Sequence, residues 1–455
     1  VMDCSFPLRS ATPRSPQPAQ GKNSRSLGSQ HSQHSLSPAG SGHQHGHLEP
    51  LECRDLLVQN ALFTGDLDMV QKYFPKGSAT NLIIETRGDV LRWTSSKRGL
   101  WSLSYEQELT TPLHITASRG HTGCLRLLLQ RGADPALAPG GRTALHAAAA
   151  AARAACARLL LRAGADPQAL SEDGYRPLHL CRSADSIECV RQLLQHGASV
   201  NSQTEEENDT ALHVAARLGL VEHVQLLLHH GAELEVKNKE GQTPLNAACA
   251  QHHQPQDMDR YYRVCQLLVE SGASVNAADR DQQRPLHLAC KNANAQIAEL
   301  LLARGANVNV MNYGGSTALH NILQVAAYRL EHRPELVVRA LLNHGAVRVW
   351  PGSLLKVLQS CHSCPRAVEA LVNSYSHVRV SEAWEAAVPA EVVQKYPRFY
   401  RSLFSLGHSP RSLQHLARCT LRTLLEGRLL QVLSQLHLPR ALHQFLLLGF
   451  EDVLY

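Results

Sequence analysis

Between Thr111 and Pro135 the chain alternates short apolar stripes with turn residues, TPLHITASRGHTGCLRLLLQRGADP. Thr111 suits a helix N-cap, and Pro112 suits the first helical position, where a missing N–H costs nothing. Leu113 and Ala117 fall four apart on one face. Gly120 breaks this helix, and Thr122 is placed to cap a second one. Leu125, Leu128 and Leu129 then form an i, i+3, i+4 stripe. Gly132 ends the second helix as an αL residue, and Pro135 blocks its continuation. Helices this short are not stable alone, so the unit needs neighbours.

The neighbours follow. The opening block returns as Thr143-Ala144-Leu145-His146, Arg176-Pro177-Leu178-His179 and Thr210-Ala211-Leu212-His213, then as Thr243-Pro244-Leu245-Asn246, Arg284-Pro285-Leu286-His287 and Thr317-Ala318-Leu319-His320. Successive starts lie 32, 33, 34, 33, 41 and 33 residues apart, and a Gly-Ala pair follows each block. One such block would be an ordinary capped helix; seven in one register are a repeat. The period and the T-P-L-H core resemble ankyrin repeats, which implies a solenoid that grows by stacking around no single core.

Departures from the pattern predict local differences. The turn glycine is kept as Gly120 and Gly219, whereas Ala152, Asp185, His252, Ala293 and Ala326 stand at its equivalents. Wherever those sites keep positive φ, each substitution costs on the order of 1 kcal/mol. The fifth repeat carries extra residues between its helices, from His252 to Asp259, and the seventh carries more near Tyr328 to Pro334. Both are expected to be loops on one face of the array. Glu205-Glu206-Glu207 reads as a solvated acidic finger.

Outside the array, residues 1–50 are rich in Ser, Pro, Gln, Gly and His and poor in large apolar residues, the composition of a disordered tail. His43-Gln44-His45-Gly46-His47 has no second ligand cluster beside it, and Thr12-Pro13, Ser15-Pro16 and Ser37-Pro38 are common dipeptides. Residues 51–110 read as a degenerate capping repeat, Leu56 to Phe74, followed by an insertion. The β-leaning pieces of that insertion predict a hairpin carrying Trp93, Trp101 and Tyr105. Seven repeats occupy 111–350. A further imperfect helix pair and a linker fill 351–408, with Trp384, Tyr396, Phe399, Tyr400 and Phe404 expected in the core.

Composition narrows the chemistry. The 455 residues carry a formal charge of +6, with no basic stripe interleaved with aromatics, which argues against nucleic acid. Cys124, Cys156 and Cys189 each lie ten residues after the His of their own block, at one equivalent position of successive second helices. Helix packing distances of roughly 8–10 Å keep such sites too far apart for a disulfide, so they read as buried free thiols of a reducing compartment. No apolar run is long enough to span a membrane and no secretory pattern opens the sequence, so the expected setting is cytoplasmic or nucleocytoplasmic. Since the sequence begins at Val1, the native N-terminus is expected upstream. Cys361-His362-Ser363-Cys364 lacks the second pair that a zinc site needs. No phosphate-cradling loop, G-x-S-x-G elbow or H-E-x-x-H helix is present, so no catalytic residue, metal or cofactor is expected.

The second specific signal is C-terminal. PRSLQHLARCTLRTLL, residues 410–425, forms an amphipathic helix with Leu413, Leu416, Leu421, Leu424 and Leu425 apolar and Arg411, Arg418 and Arg422 charged. Leu436-His437-Leu438-Pro439 follows, then Leu442, Phe445, Leu446 and Leu447. This is more apolar surface than about 45 residues can bury internally, which points to a partner docked helix-in-groove.

This segment, residues 409–455, resembles a SOCS box. Ankyrin repeats followed by a SOCS box resemble the ankyrin repeat and SOCS box (ASB) family, over roughly residues 51–455. The resemblance implies an all-α protein, an ankyrin-repeat solenoid followed by a C-terminal helical SOCS box. It implies the substrate-recognition subunit of an elongin B/C–cullin-RING ubiquitin ligase, with the fifth cullin and its RING subunit as partners and ubiquitination and degradation of a client as outcome. On the family's motif, Ser412, Leu413, Leu416, Ala417 and Leu421 would bind elongin, and Leu436, His437, Leu438 and Pro439 would select the cullin. Two positions depart. Ala417 stands where the motif has Cys, with Cys419 out of register, which should cost about 1 kcal/mol. His437 stands where the motif has Pro, at about 0.4–1 kcal/mol.

Three functions are therefore in view. The chain is a non-catalytic adaptor that raises the effective concentration of client lysines, a scaffold or competitor that no longer recruits a cullin, or an enzyme. The recurrent histidines occupy a repeat position and read as structural. The client and the face that binds it cannot be read from the sequence.

Overall fold

The computed structural model describes residues 51–52, 56–76, 80–95 and 101–454. The expected disordered tail, its histidine tract and its Ser/Thr-Pro dipeptides lie outside the described residues, as do the side chains of Trp93, Trp101 and Tyr105. The chain begins with β1 (Leu51–Glu52) and a helix pair, α1 (Leu56–Thr64) and α2 (Leu67–Tyr73). A hairpin follows, β2 (Leu82–Ser95) and β3 (Trp101–Thr110), antiparallel from Ile84 opposite Thr110 to Ser95 opposite Trp101. β1 adds in parallel at Leu82 and Ile83. The hairpin is anchored by the buried Ile84 and by Asn81 Oδ1, which accepts the Asp134 N–H at 2.9 Å. Its exit passes over Gly140, where any Cβ would stand 2.7 Å from the Leu109 carbonyl oxygen.

The array then runs α3 (Pro112–Arg119) with α4 (Thr122–Gln130), and α5 (Ala144–Ala150) with α6 (Ala154–Arg162). The third repeat opens on a single 3₁₀ turn, Pro177–Leu180, before α7 (Ile187–Gln195). Next come α8 (Ala211–Arg217) with α9 (Val221–His229), α10 (Pro244–Ala250) with α11 (Met258–Glu270), and α12 (Pro285–Lys291) with α13 (Ala295–Ala303). The last pairs are α14 (Ala318–Val325) with α15 (Pro334–Asn343), and α16 (Leu354–Cys361) with α17 (Pro365–Val372). Three short helices, α18 (Glu382–Ala386), α19 (Ala390–Lys395) and α20 (Pro397–Ser405), bring Trp384, Phe399 and Tyr400 into the core, with Tyr396 and Phe404 packed at its edge. The chain finishes on α21 (Leu413–Leu424), α22 (Leu429–Gln435) and α23 (Arg440–Leu446).

The recurrent histidine ties one repeat to the next. Its Nδ1 accepts the backbone N–H of the capping residue three positions earlier, as in Thr143, Arg176, Thr210 and Arg284, at 3.1–3.2 Å. In five of the six repeats that carry it, its Nε2–H donates to a carbonyl of the following repeat. His114 reaches Arg142 O at 2.7 Å, His146 reaches Tyr175 O at 3.1 Å, and His179, His213 and His287 reach Ser202, Gln242 and Val310 O at 2.9 Å. In the fifth repeat Asn246 Nδ2 donates to Ala277 O at 3.1 Å and keeps the stitch with a neutral amide. Imidazole therefore serves as a neutral side chain with a fixed tautomer, the structural role expected of it.

Several sequence expectations need correction. Thr122 does not cap α4. It is the first helical residue, and His121 at the cap position makes no side-chain bond to the helix. The first helix of the third repeat shrinks to one turn, with the Cys181 thiol donating back to Pro177 O and Ser183 preceding a second 3₁₀ turn. Of the five turn substitutions, only Ala152 (φ 56°) and Ala293 (φ 53°) keep the left-handed backbone. Asp185 lies inside a 3₁₀ turn, Ala326 is right-handed, and His252 is likewise not at positive φ. The extra residues of the fifth repeat are only partly loop. α11 has 13 residues against nine in α9 and α13, so the insertion adds a turn of helix.

The ten described cysteines are free and buried, among them Cys124, Cys156 and Cys189. Cys361 Sγ donates to Leu323 O, and Cys364 contacts Glu335. No cluster of three or more His, Cys, Asp or Glu among the described residues could hold a metal ion. No helix among them is long and apolar enough to cross a membrane.

Two outcomes are expected. Burial holds His114, His179, His223 and His253 at about 4. The unfolded chain binds protons below about pH 6.5 that the folded chain refuses, so stability is full above that pH and is lost as pH falls toward 4. The melting temperature at about pH 5 should lie well below that at about pH 7.5; equal values would contradict the buried neutral imidazoles. Second, Ala152→Gly should stabilise by about 0.5–1 kcal/mol, since Ala152 is partly exposed and carries the positive φ. Ala293→Gly should be near neutral, because that methyl is fully buried and its loss offsets about 0.8 kcal/mol of relief. Urea unfolding of the two variants checks the difference.

Candidate functional site

The helix that carries the motif residues, α21, has its faces turned opposite to the usual sense. His415, Arg418 and Cys419 are buried against the array, while Leu413 is 85% exposed and Leu424 69%. Leu416 and Leu421 are also exposed, at 38% and 44%, and Ala417 lies among them. Positions 413, 416, 417, 421 and 424 follow the i, i+3/4 spacing of one helical face. Ser412 caps that helix by accepting the His415 N–H at 3.2 Å. The sequence-predicted residues Ser412, Leu413, Leu416, Ala417 and Leu421 are thus brought together on one outward apolar surface. Leu424, read from the sequence as part of the apolar stripe but not among the predicted elongin-binding residues, belongs to the same surface. Burying four leucines of this kind is worth about 1.5–3 kcal/mol each, so the face is an unused store of association energy.

The polar face is used as an anchor. Arg422 donates to Leu342 O at 3.0 Å and Asn343 Oδ1 at 2.8 Å, at the C-terminal end of α15, and to Leu446 O at 2.7 Å. Arg411 donates to Val372 O and Asn373 Oδ1, both at 3.2 Å, at the end of α17. Guanidinium groups at helix C-termini satisfy orphan carbonyls and meet the negative end of the helix dipole. Burial lowers Arg411 and Arg422 to about 10, which leaves both charged at neutral pH. His415 Nε2–H donates to Tyr375 O at 2.8 Å, its Nδ1 accepts from Arg418 at 2.8 Å, and burial holds the ring neutral, at about 4. Cys419 faces inward toward Asn373 O and His415, so it cannot stand in for the motif cysteine at the outward position of Ala417.

The second set of motif residues lies on a different element. Leu436, His437, Leu438 and Pro439 form the connection from α22 to α23, with Pro439 at the N-cap of α23. Leu436, His437 and Pro439 are exposed, whereas Leu438 packs partly against the small core of Leu429, Leu433 and Leu446. The last residues strap this unit to the array. Glu369 on α17 is buried and accepts the N–H groups of Glu451 at 2.7 Å and Asp452 at 3.3 Å; burial still pushes its carboxyl up to about 7. Arg366 holds Asp452 through two bonds of 2.9 and 3.1 Å, and Leu454 N–H donates to Ser402 Oγ at 2.9 Å. Glu369 gave no signal in the sequence, since one carboxylate on a helix marks nothing until its partners are placed.

The comparisons agree with this architecture. The profile described as ankyrin repeats (3 copies) matches residues 58–171, 150–238, 204–279, 231–312 and 257–348, and the SOCS box profile matches 409–447. Human ankyrin repeat and SOCS box protein 10 is 52% identical over 413 residues, which cover 88% of each chain. The human protein 18 of that series is 45% identical over 408 residues, and protein 16 is 41% identical over 399; each alignment covers 88% of this chain and 87% of the relative. The chain belongs to the ankyrin repeat and SOCS box family. Membership supports a substrate-adaptor role in a cullin-RING ligase, and the SOCS box implies elongin B/C and cullin binding in general.

Arg422→Ala should weaken the seating of this SOCS box by about 2–4 kcal/mol, from the loss of three charge-assisted bonds. Hydrogen exchange should quicken in α21 and α23 while α5 and α10 keep their protection. Uniform quickening would mean that the anchor is not local.

Proposed function

We propose that the chain is a non-catalytic substrate receptor that delivers a client to a cullin-RING ubiquitin ligase for degradation. The outward apolar face of α21 supports this reading most strongly. It is the one face of that helix that intramolecular packing leaves uncovered, and it carries the motif residues. Leu413, Leu416, Ala417 and Leu421, capped by Ser412, dock in a groove of elongin C. Leu436, His437, Leu438 and Pro439 contact the fifth cullin, and the ankyrin array holds the client. Ubiquitin transfer is then accelerated by proximity, through the raised local concentration of client lysines near the conjugating enzyme. The chain works in the cytoplasm or in both nucleus and cytoplasm, in keeping with its buried free thiols.

A second reading is a scaffold or competitor that binds elongin without recruiting a cullin. Its support is His437, an exposed residue without the fixed backbone angle of the motif's proline.

Co-expression with elongin B/C and the fifth cullin tests both. The intact chain should recover both partners. Leu413→Asp should lose them, and because Leu413 is 85% exposed, that loss cannot be blamed on unfolding. Elongin without cullin, restored by His437→Pro, would favour the competitor. Recovery of neither partner would sink the ligase reading.

A further inference from the structure

On the connecting-loop side of the last repeats, a cleft of about 660 Å³ opens between the seventh repeat, α17, the α19–α20 junction and the C-terminal strap. That volume lies in the roughly 300–1,000 Å³ range of sites that enclose a ligand or an anchoring side chain. Its floor is the buried pair Cys364 and Phe399, and Leu330 and Tyr396 supply apolar walls. Three cations edge it: Arg366, Lys395 and Arg398. Glu335, an acid at its floor, is held by Arg333 Nε at 3.4 Å.

The chain's own tail displays the chemistry this edge recognises. Phe450 lies under the Arg339 and Arg366 guanidiniums, 4.8 and 5.6 Å from ring centroid to Cζ, and Asp452 takes both arms of Arg366. Arg366 holds the Asp452 carboxyl below its usual range, with Arg398 adding a weaker pull. A carboxylate of the chain itself, Asp452, is thus already seated on one flank of the cleft, whereas Phe450 packs in the neighbouring hollow beside Arg339. The opposite flank is not filled. Among the described residues, Lys395 stacks on its neighbour Tyr396 at 5.3 Å and Arg398 has no carboxylate within ion-pair distance, so two exposed cations face an apolar hollow.

We propose that this cleft binds an acidic segment of the client protein, an apolar side chain entering between Leu330, Tyr396 and Phe399 while flanking carboxylates pair with Lys395 and Arg398. The proposal rests on the substrate-receptor reading and adds to it a second client contact, away from the SOCS box docking face. The segment's carboxylates compete with none of the anchors of α21, so client and ligase partners can be held together.

The full chain, purified with elongin B/C where these bind, is titrated with two fluorescein-labelled peptide pools. One has Phe, Tyr or Leu flanked on each side by two Asp or Glu; the other replaces every acid by its amide. The acidic pool should bind, the amide pool should not, and Lys395→Glu with Arg398→Glu should weaken the acidic pool by about tenfold. The same charge change at the exposed Arg126 and Arg158 on outer helices should leave binding unchanged. Absent binding, equal binding of both pools, or equal losses in the two double variants would overturn the proposal. Elongin recovery, scored on the same preparations, separates that result from failure of the receptor reading.

Discussion

A neutral imidazole between two repeats is the constraint on which the array depends. Its Nδ1 takes the N–H that opens its own helix, and its Nε2–H reaches a carbonyl of the next unit. Both atoms are buried, so either bond left unmade would cost the desolvation of a backbone group, about 1–3 kcal/mol. Each repeat is therefore completed only by its successor. This explains why helices of seven to nine residues, far below the length that is stable alone, persist in a row. The fifth repeat keeps one of the two bonds, Asn246 Nδ2 to Ala277 O, while Asn246 Oδ1 is buried without a partner among the described residues.

The terminal unit solves a different problem with similar means. A helix that lays its leucines on the array would have no docking face left. Here α21 is seated by its polar side instead, through Arg411, His415 and Arg422 on the carbonyl ends of α15 and α17 and on the Tyr375 carbonyl. Carbonyl ends of helices are acceptors that every array must leave at its edge. Using them as the seat leaves the apolar stripe preformed and outward, so a partner meets an ordered face and loses less conformational entropy on binding. The strap from Phe450 to Leu454, held by Glu369, Arg366 and Ser402, fixes the same unit from its other end.

How much of this was legible depended on whether the physics was local. The T-P-L-H block carries its cap, its first turn and its inter-repeat bond within four residues, so the repeat and its register could be read directly. The apolar stripe of α21 was readable for the same reason. What failed was set by distant partners. Thr122 looks like a cap but sits one position inside the helix. The turn at Asp185 adjusts because the third repeat shortens its first helix, a change that Cys181 and Ser183 permit but do not announce. The inward aim of Cys419, and the carboxylate of Glu369 that holds the strap, follow from the position of Asn373 and of the tail, some 46 and 82 residues away along the chain.

The loop side of repeats five to seven is cross-stitched. Asn292 Nδ2 donates to Cys249 O, Asn294 meets the His253 ring at 3.2 Å, His332 Nδ1 contacts Asn292 O, and Arg329 reaches His252 at 3.4 Å. Elsewhere among the described residues, one unit can in principle be exchanged for another of equal period, because its bonds run to its immediate neighbours. Here the two insertions make three units answer to one another. Recombination or repeat grafting that keeps the array intact must move these three as a single cassette, and a cut within it separates contacts that no neighbouring repeat can supply.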